Sequence, residues 1–131
     1  MDPLLVLTTP SGPLSLSAPL PEAFIKDAIA SHDAVIFSKT YCPYCTRTKD
    51  LFRDVGAGKD VAVFELDNME NGDAIQGALL AMTKQRTVPN VFVKGQHIGG
   101  NDDSQKAARE GKLQAMLGGS VAMMAVSSGV L

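Results

Sequence analysis

The sequence predicts an α/β fold: a four-stranded mixed sheet, made of a parallel βαβ unit and an antiparallel hairpin, flanked by helices on both faces. Three observations predict it. Two short apolar runs, Ala34–Phe37 and Val61–Leu66, enclose a helical pattern from Pro43 to Val55. Strands buried on both faces read as such runs, and strand–helix–strand is the parallel unit, joined by a right-handed crossover. A second strand pair, Asn90–Val93 and Gln96–Ile98, is separated only by Lys94-Gly95, a tight hairpin turn. Further segments repeat apolar residues every three to four positions, the helical period.

Taken in order, residues 1–20 read as a flexible extension. They carry Pro3, Pro10, Pro13 and Pro19 and no basic residue. A secretory signal wants a basic start and an unbroken apolar core, and a transit peptide is usually Arg-rich. Residues 21–118 form the predicted domain. Phe24, Ile25, Ala28 and Ile29 make an apolar stripe on a helix from Pro21 to His32, with proline suited to its first position. The strand Ala34–Ser38 follows, then the helix Pro43–Val55, stopped by Gly56 and Gly58. After the strand Val61–Leu66, Asp67–Asn71 reads as a turn, with Asp67 and Asp73 as turn and capping residues. Ile75, Ala78, Leu79 and Met82 mark a helix over Ala74–Met82, and Thr83–Thr87 a polar loop before the hairpin. Residues 101–104, Asn-Asp-Asp-Ser, are capping types for a last helical region, Ser104–Leu117, which Gly111 can split. Residues 119–131 form an apolar, uncharged tail, read either as disordered or as packed on the body. It is too short to span a bilayer. No internal repeat or second domain is visible.

The global numbers narrow the function. At 131 residues and 45% hydrophobic, one domain with a sizeable core is expected. A net charge of −2 suggests neither a nucleic-acid nor a membrane partner. Two cysteines are too few for a disulfide-stapled secreted scaffold.

Those two, Cys42 and Cys45, are two residues apart and sit where a strand ends and a helix begins. Unpaired N–H groups and the helix dipole favour an anion there, and a thiolate is one. Lys39, three residues upstream, adds to the effect. Cys45 lies one turn further in and is more enclosed. Cys42 is therefore read as the attacking thiol and Cys45 as the resolving one. A zinc site would need four ligands, and only His32 and His97 could supplement the pair; they are not close to each other in sequence. A structural disulfide would close a tight ring that stabilises little. A redox-active pair after a strand is the stronger reading, and it fits a reducing compartment such as the cytoplasm, with an organelle as the other option.

Over Pro21–Leu117 the chain resembles a dithiol glutaredoxin, of the thioredoxin-fold superfamily. Three motifs in order carry the resemblance: Lys39 with Cys42-Pro43-Tyr44-Cys45, then Thr87-Val88-Pro89, then Gly99-Gly100-Asn101-Asp102-Asp103. Thioredoxins carry Trp-Cys-Gly-Pro-Cys, and this chain has no Trp. Many relatives have a further Cys where Asn101 stands, so a third oxidisable thiol is absent here. The resemblance implies a thioredoxin fold, glutathione as co-substrate, and reduction of protein disulfides and protein–glutathione mixed disulfides. It also implies a glutathione site. Lys39 and Arg86 would pair with the glycine-end carboxylate, and Gln85 would hydrogen-bond it. The Val88 backbone would pair with the cysteinyl part, turned by a cis Pro89 and flanked by Thr87. Gly100 and the N–H groups of Asn101 and Asp102 would hold the γ-glutamyl carboxylate, with Asp102 or Asp103 on its ammonium. Tyr44 would cover the sulfur. Taken singly, these charged residues also read as solvated surface, and the two aspartates as caps. His32 and His97 read as structural or exposed, and the methionines as core filler. A monomer without a metal is expected, with glutathione and disulfide-containing or glutathionylated proteins as partners. The alternative is a module sharing a [2Fe–2S] cluster between subunits through Cys42 and glutathione; thiolates suit such clusters, but Pro43 stiffens the loop.

Overall fold

A computed structural model describes residues 20–118 of the chain. The expected extension, Leu20 apart, and the expected tail lie outside the described residues. Helix α1 spans Pro21–Ser31, strand β1 Ala34–Ser38, α2 Pro43–Val55 and β2 Val61–Glu65. A 3-10 turn, Leu66–Asn68, leads to α3, Gly72–Thr83. Then come β3, Asn90–Val93, β4, Gln96–Gly99, α4, Asn101–Arg109, and α5, Lys112–Gly118.

The four strands form one mixed sheet, as expected, and their order is β2-β1-β3-β4. Strand β1 runs parallel to β2, with Ala34 opposite Val61 and Ser38 opposite Glu65. It runs antiparallel to β3, with Ala34 opposite Val93 and Phe37 opposite Asn90. The hairpin places Phe92 opposite His97, with an irregularity between Val91 and Phe92. Its two turn residues, Lys94 and Gly95, have φ of 50° and 82°. Two positive φ values in a row match the right-handed twist of the strands they join.

Every residue of β1 is buried, which explains its unbroken apolar run. Successive side chains leave opposite faces of a strand. Val35 and Phe37 join Ile25 of α1 and Ile75 and Leu79 of α3 in one core layer. Ala34 and Ile36 join Phe52 of α2 and Leu113 and Leu117 of α5 in the other. Phe37 stacks on Phe64 at 5.6 Å and meets Phe92 edge-on at 6.1 Å. Each fully buried large side chain contributes about 1.5–3 kcal/mol, so the two layers fix the sheet between its helices.

Four expected ends shift by one residue, to Ser31, Thr83, Gly99 and Gly118, and three further boundaries differ for visible reasons. Strand β2 ends at Glu65, because Leu66 turns into the 3-10 segment and is buried there. Helix α3 starts two residues early, at Gly72, where only a glycine fits: an added Cβ would lie 1.9 Å from the Leu66 carbonyl oxygen. Helix α4 starts at Asn101, not Ser104. The cap is Gly100, whose N–H donates to the Asp103 carboxylate at 3.3 Å, and whose carbonyl accepts from the Ser104 N–H and hydroxyl. The four capping-type residues are thus the first turn itself. Gly111, at φ 78°, does split the last region, separating α4 from α5.

Candidate active site

The site forms where β1 ends. Its chain leaves the sheet at Ser38, crosses Lys39–Tyr41 and enters α2 at Pro43, the first helical residue. Cys42 is the N-cap, extended at φ −89° and ψ 118°, and its carbonyl accepts the first helical bond from Thr46 N–H at 3.1 Å. Its side chain caps nothing, so the sulfur is left beside the helix N-terminus. The approach loop is pinned from β2's end. Asp67 accepts from the Thr40 N–H at 3.0 Å and from the Thr40 hydroxyl. The Thr40 hydroxyl and N–H, with Lys39 nearby, hold the Asp67 carboxyl below its ordinary value. Asp67 therefore does more than the turn capping expected of it.

Both cysteines are free thiols, in different settings. Cys42 is half-buried and Cys45 wholly buried. The Lys39 N–H points at the Cys45 sulfur at 3.5 Å. Burial raises the Cys45 thiol pKa; the Lys39 N–H and the Ser38 hydroxyl oppose it, and the neighbouring Cys42 adds to it. Behind the pair, Lys49 on α2 meets Glu65 on β2 at 2.8 Å, while the other carboxylate oxygen, Oε1, is buried without a partner.

Across from Cys42 lies the loop before β3. Its Val88–Pro89 bond is cis, and the Val88 carbonyl lies 3.9 Å from the Cys42 sulfur. The Gln85 amide donates to the carbonyls of Thr87 and Pro89, at 3.1 and 3.0 Å, so both of its hydrogens face the loop. A cleft of about 680 Å³ opens beside this loop, lined by Tyr44, Gln85, Thr87, Val88, Pro89 and residues 100–103. All three motifs singled out in the sequence thus converge on one end of the sheet. Lys39 and Arg86 lie outside the cleft's lining; Arg86 is exposed and its carbonyl accepts from Gln76 at 2.8 Å.

The sequence reading missed two residues here. Arg47 lines the cleft and lies over the Tyr44 ring at 5.4 Å. The i, i+3 spacing on α2 is the signal that could have found it. Thr48, fully buried, donates to the Asn101 side chain at 2.9 Å and ties α2 to α4. His32 pairs with Asp60, far from the cysteines, beside a hollow of about 830 Å³ at the other end of the sheet. There Lys94 also pairs with Asp33. Among the described residues no group of three or more His, Cys, Asp and Glu gathers as a metal site.

Known proteins share this architecture. The glutaredoxin family model matches residues 34–98. Glutaredoxin-C8 of Oryza sativa is 50% identical over 95 residues, 72% of this chain and 70% of that one. Glutaredoxin-C4 of Arabidopsis thaliana is 46% identical over 116 residues, 88% of this chain and 84% of that one. The crystal structure of a buckwheat glutaredoxin–glutathione complex superposes with a TM-score of 0.72 at 47% identity, covering 79% of this chain and 93% of that one.

Proposed function

The chain belongs to the glutaredoxin family of thiol–disulfide oxidoreductases, and we propose that it uses glutathione to reduce protein–glutathione mixed disulfides and protein disulfides through Cys42. One observation carries the reading: a half-buried Cys42 at a helix N-terminus faces the Val88 carbonyl, with Cys45 wholly buried behind it.

In the proposed monothiol route, the Cys42 thiolate attacks the glutathione sulfur of a mixed disulfide. The protein thiolate leaves and takes up a proton. A second glutathione thiolate then attacks the glutathione sulfur on Cys42, forming oxidised glutathione and restoring the Cys42 thiolate. In the dithiol route, Cys42 attacks a protein disulfide and Cys45 displaces the substrate by closing the Cys42–Cys45 bond. Two glutathiones then reopen it. Burial chiefly holds Cys45 protonated, and the neighbouring Cys42 adds to it. Converting Cys42 to a mixed disulfide lifts that smaller influence, while burial still opposes the Cys45 thiolate.

For glutathione, the 680 Å³ cleft supports the binding assignment. The Val88 backbone takes the cysteinyl part, with Thr87 and Pro89 beside it, and Tyr44 covers the sulfur. The N–H groups of Asn101 and Asp102, next to Gly100 at the start of α4, favour the γ-glutamyl carboxylate. Asp102 or Asp103 takes the ammonium. Lys39 and Arg86, which do not line the cleft, are assigned to the glycine-end carboxylate, and Gln85 acts first by closing its own loop. A cycling thiol pair suits a reducing compartment, so a cytoplasmic monomer is the proposed form.

The test is a pair of variants in a glutathione-coupled assay. Cys42→Ser should abolish all activity. Cys45→Ser should keep deglutathionylation and lose reduction of protein disulfides. Equal loss of deglutathionylation in both would contradict the division of labour.

A further inference from the structure

We propose that Asn90, held by His97, is a positioning residue that sets the loop facing Cys42 and so governs the affinity for glutathione. The inference rests on the glutathione reading above.

Asn90 opens β3 directly after Pro89 and is 1% exposed. A buried amide needs protein partners, since water cannot reach it. They lie on the hairpin, on the loop and on the last residue of α3. Its Oδ1 meets His97 Nε2 at 2.8 Å, across from β4. Its Nδ2 faces the Thr83 hydroxyl and the Gln85 carbonyl, each at a long 3.4 Å. Thr83 in turn accepts from the Gln85 N–H at 3.1 Å and donates to the Leu79 carbonyl at 2.8 Å, which fixes it to α3. Gln85 then closes the loop through the Thr87 and Pro89 carbonyls, which bracket Val88. A continuous polar path thus runs from His97, at the exposed hairpin, to the Thr87 and Pro89 carbonyls on either side of Val88, whose own carbonyl lies 3.9 Å from the Cys42 sulfur.

The apolar neighbours make this polar centre conspicuous. Val91 and Val93, on the same strand, are fully buried in the core layer under α2 and α5. Asn90 itself lies on the other face, opposite Phe37, where its amide sits beside the apolar layer of α1 and α3. The amide is needed for something packing does not supply. What it supplies is a fixed loop: the carbonyls and N–H groups that pair with a peptide-like ligand are set before the ligand arrives, which lowers the ordering cost of binding.

The experiment measures glutathione KM and kcat with a small glutathione mixed disulfide. Two variants are compared with the unaltered protein. Asn90→Leu keeps the volume and removes every bond of the amide. His97→Phe keeps the ring beside Phe92, now 5.1 Å away, and removes the bond to Asn90 along with the weaker electrostatic influence of Asp103. The expected rise in KM is about tenfold for the first and about threefold for the second, the scale of two to three lost hydrogen bonds and of one. kcat should stay within about twofold. A variant that merely lost stability would lose active molecules, lowering kcat and leaving KM alone. Unchanged KM in both overturns the proposal. Should Asn90→Leu fail to fold, His97→Phe decides by itself, on the exposed hairpin. Should the unaltered protein turn over no glutathione at all, the functional reading fails, and hydrogen exchange at residues 86–88 then decides the positioning. Faster exchange in the variants supports it, and unchanged exchange refutes it.

Discussion

Replacing Lys49 with methionine tests the packing behind the cysteines. Lys49 and Glu65 join α2 to β2 at 2.8 Å, with side chains only 21% and 23% exposed. Exposed ion pairs are worth about 0–1 kcal/mol. Removing one partner of a fully buried pair costs about 3–5 kcal/mol, because the other charge is left unpaired. This pair is roughly four-fifths buried, and Glu65 already has one oxygen, Oε1, buried without a partner. Lys49→Met would leave both oxygens unpaired. The expected cost therefore lies between the two cases, at about 2–3 kcal/mol. For a domain of this size, that lowers the thermal midpoint by roughly 10–15 °C. Adding Glu65→Gln should recover most of the loss, since the orphaned charge goes with it. The assay is thermal and urea unfolding of the two single variants and the double. A Lys49→Met cost under about 0.5 kcal/mol would place the pair with ordinary surface pairs. Strict additivity in the double would equally refute the reasoning, because it depends on the two groups being coupled.

Gly72→Ala should lower stability by about 3 kcal/mol in urea unfolding, the upper end for overpacking, since the new Cβ would meet the backbone oxygen of Leu66 at 1.9 Å; a change below about 0.5 kcal/mol would mean that the start of α3 gives way freely. For Cys45, burial raises the folded thiol pKa above its unfolded value. Its contribution is therefore fully present below the unfolded pKa, about 8.5, and is lost as pH rises through the folded one. The stability advantage of the reduced protein over Cys45→Ser should shrink as pH rises past that value, and an advantage independent of pH would contradict the burial argument.

The sheet was legible because its strands obey simple rules. β1 is buried on both faces, and its unbroken run Ala34–Phe37 says so. The hairpin announced itself through Lys94-Gly95, whose two positive φ values a glycine favours. The cysteine pair was legible through its place between a strand and a helix. Less legible were residues whose role depends on partners distant in sequence. Asp67 reads as a turn residue until β2 and the approach loop bring it against Thr40, 27 positions away. Thr48 looks like an ordinary helical threonine until α4 sets Asn101 beside it, 53 positions on. Asn90 reads as the start of a strand, and nothing local predicts its bond to His97. The start of α4 was misplaced for a related reason. Asp103 caps from inside the helix, reaching back to Gly100, so the four capping types make up its first turn.

The central claim, that electrons reach Cys42 from glutathione, has a direct measurement. The reduction rate of a small mixed disulfide would be measured twice on the same protein, once coupled to glutathione and its reductase, once coupled to a thioredoxin reductase. The cleft beside Val88 and the helix start at Asn101 predict fast turnover with glutathione and little with the thioredoxin reductase. Comparable or faster turnover with the thioredoxin reductase, or none with glutathione, would contradict it.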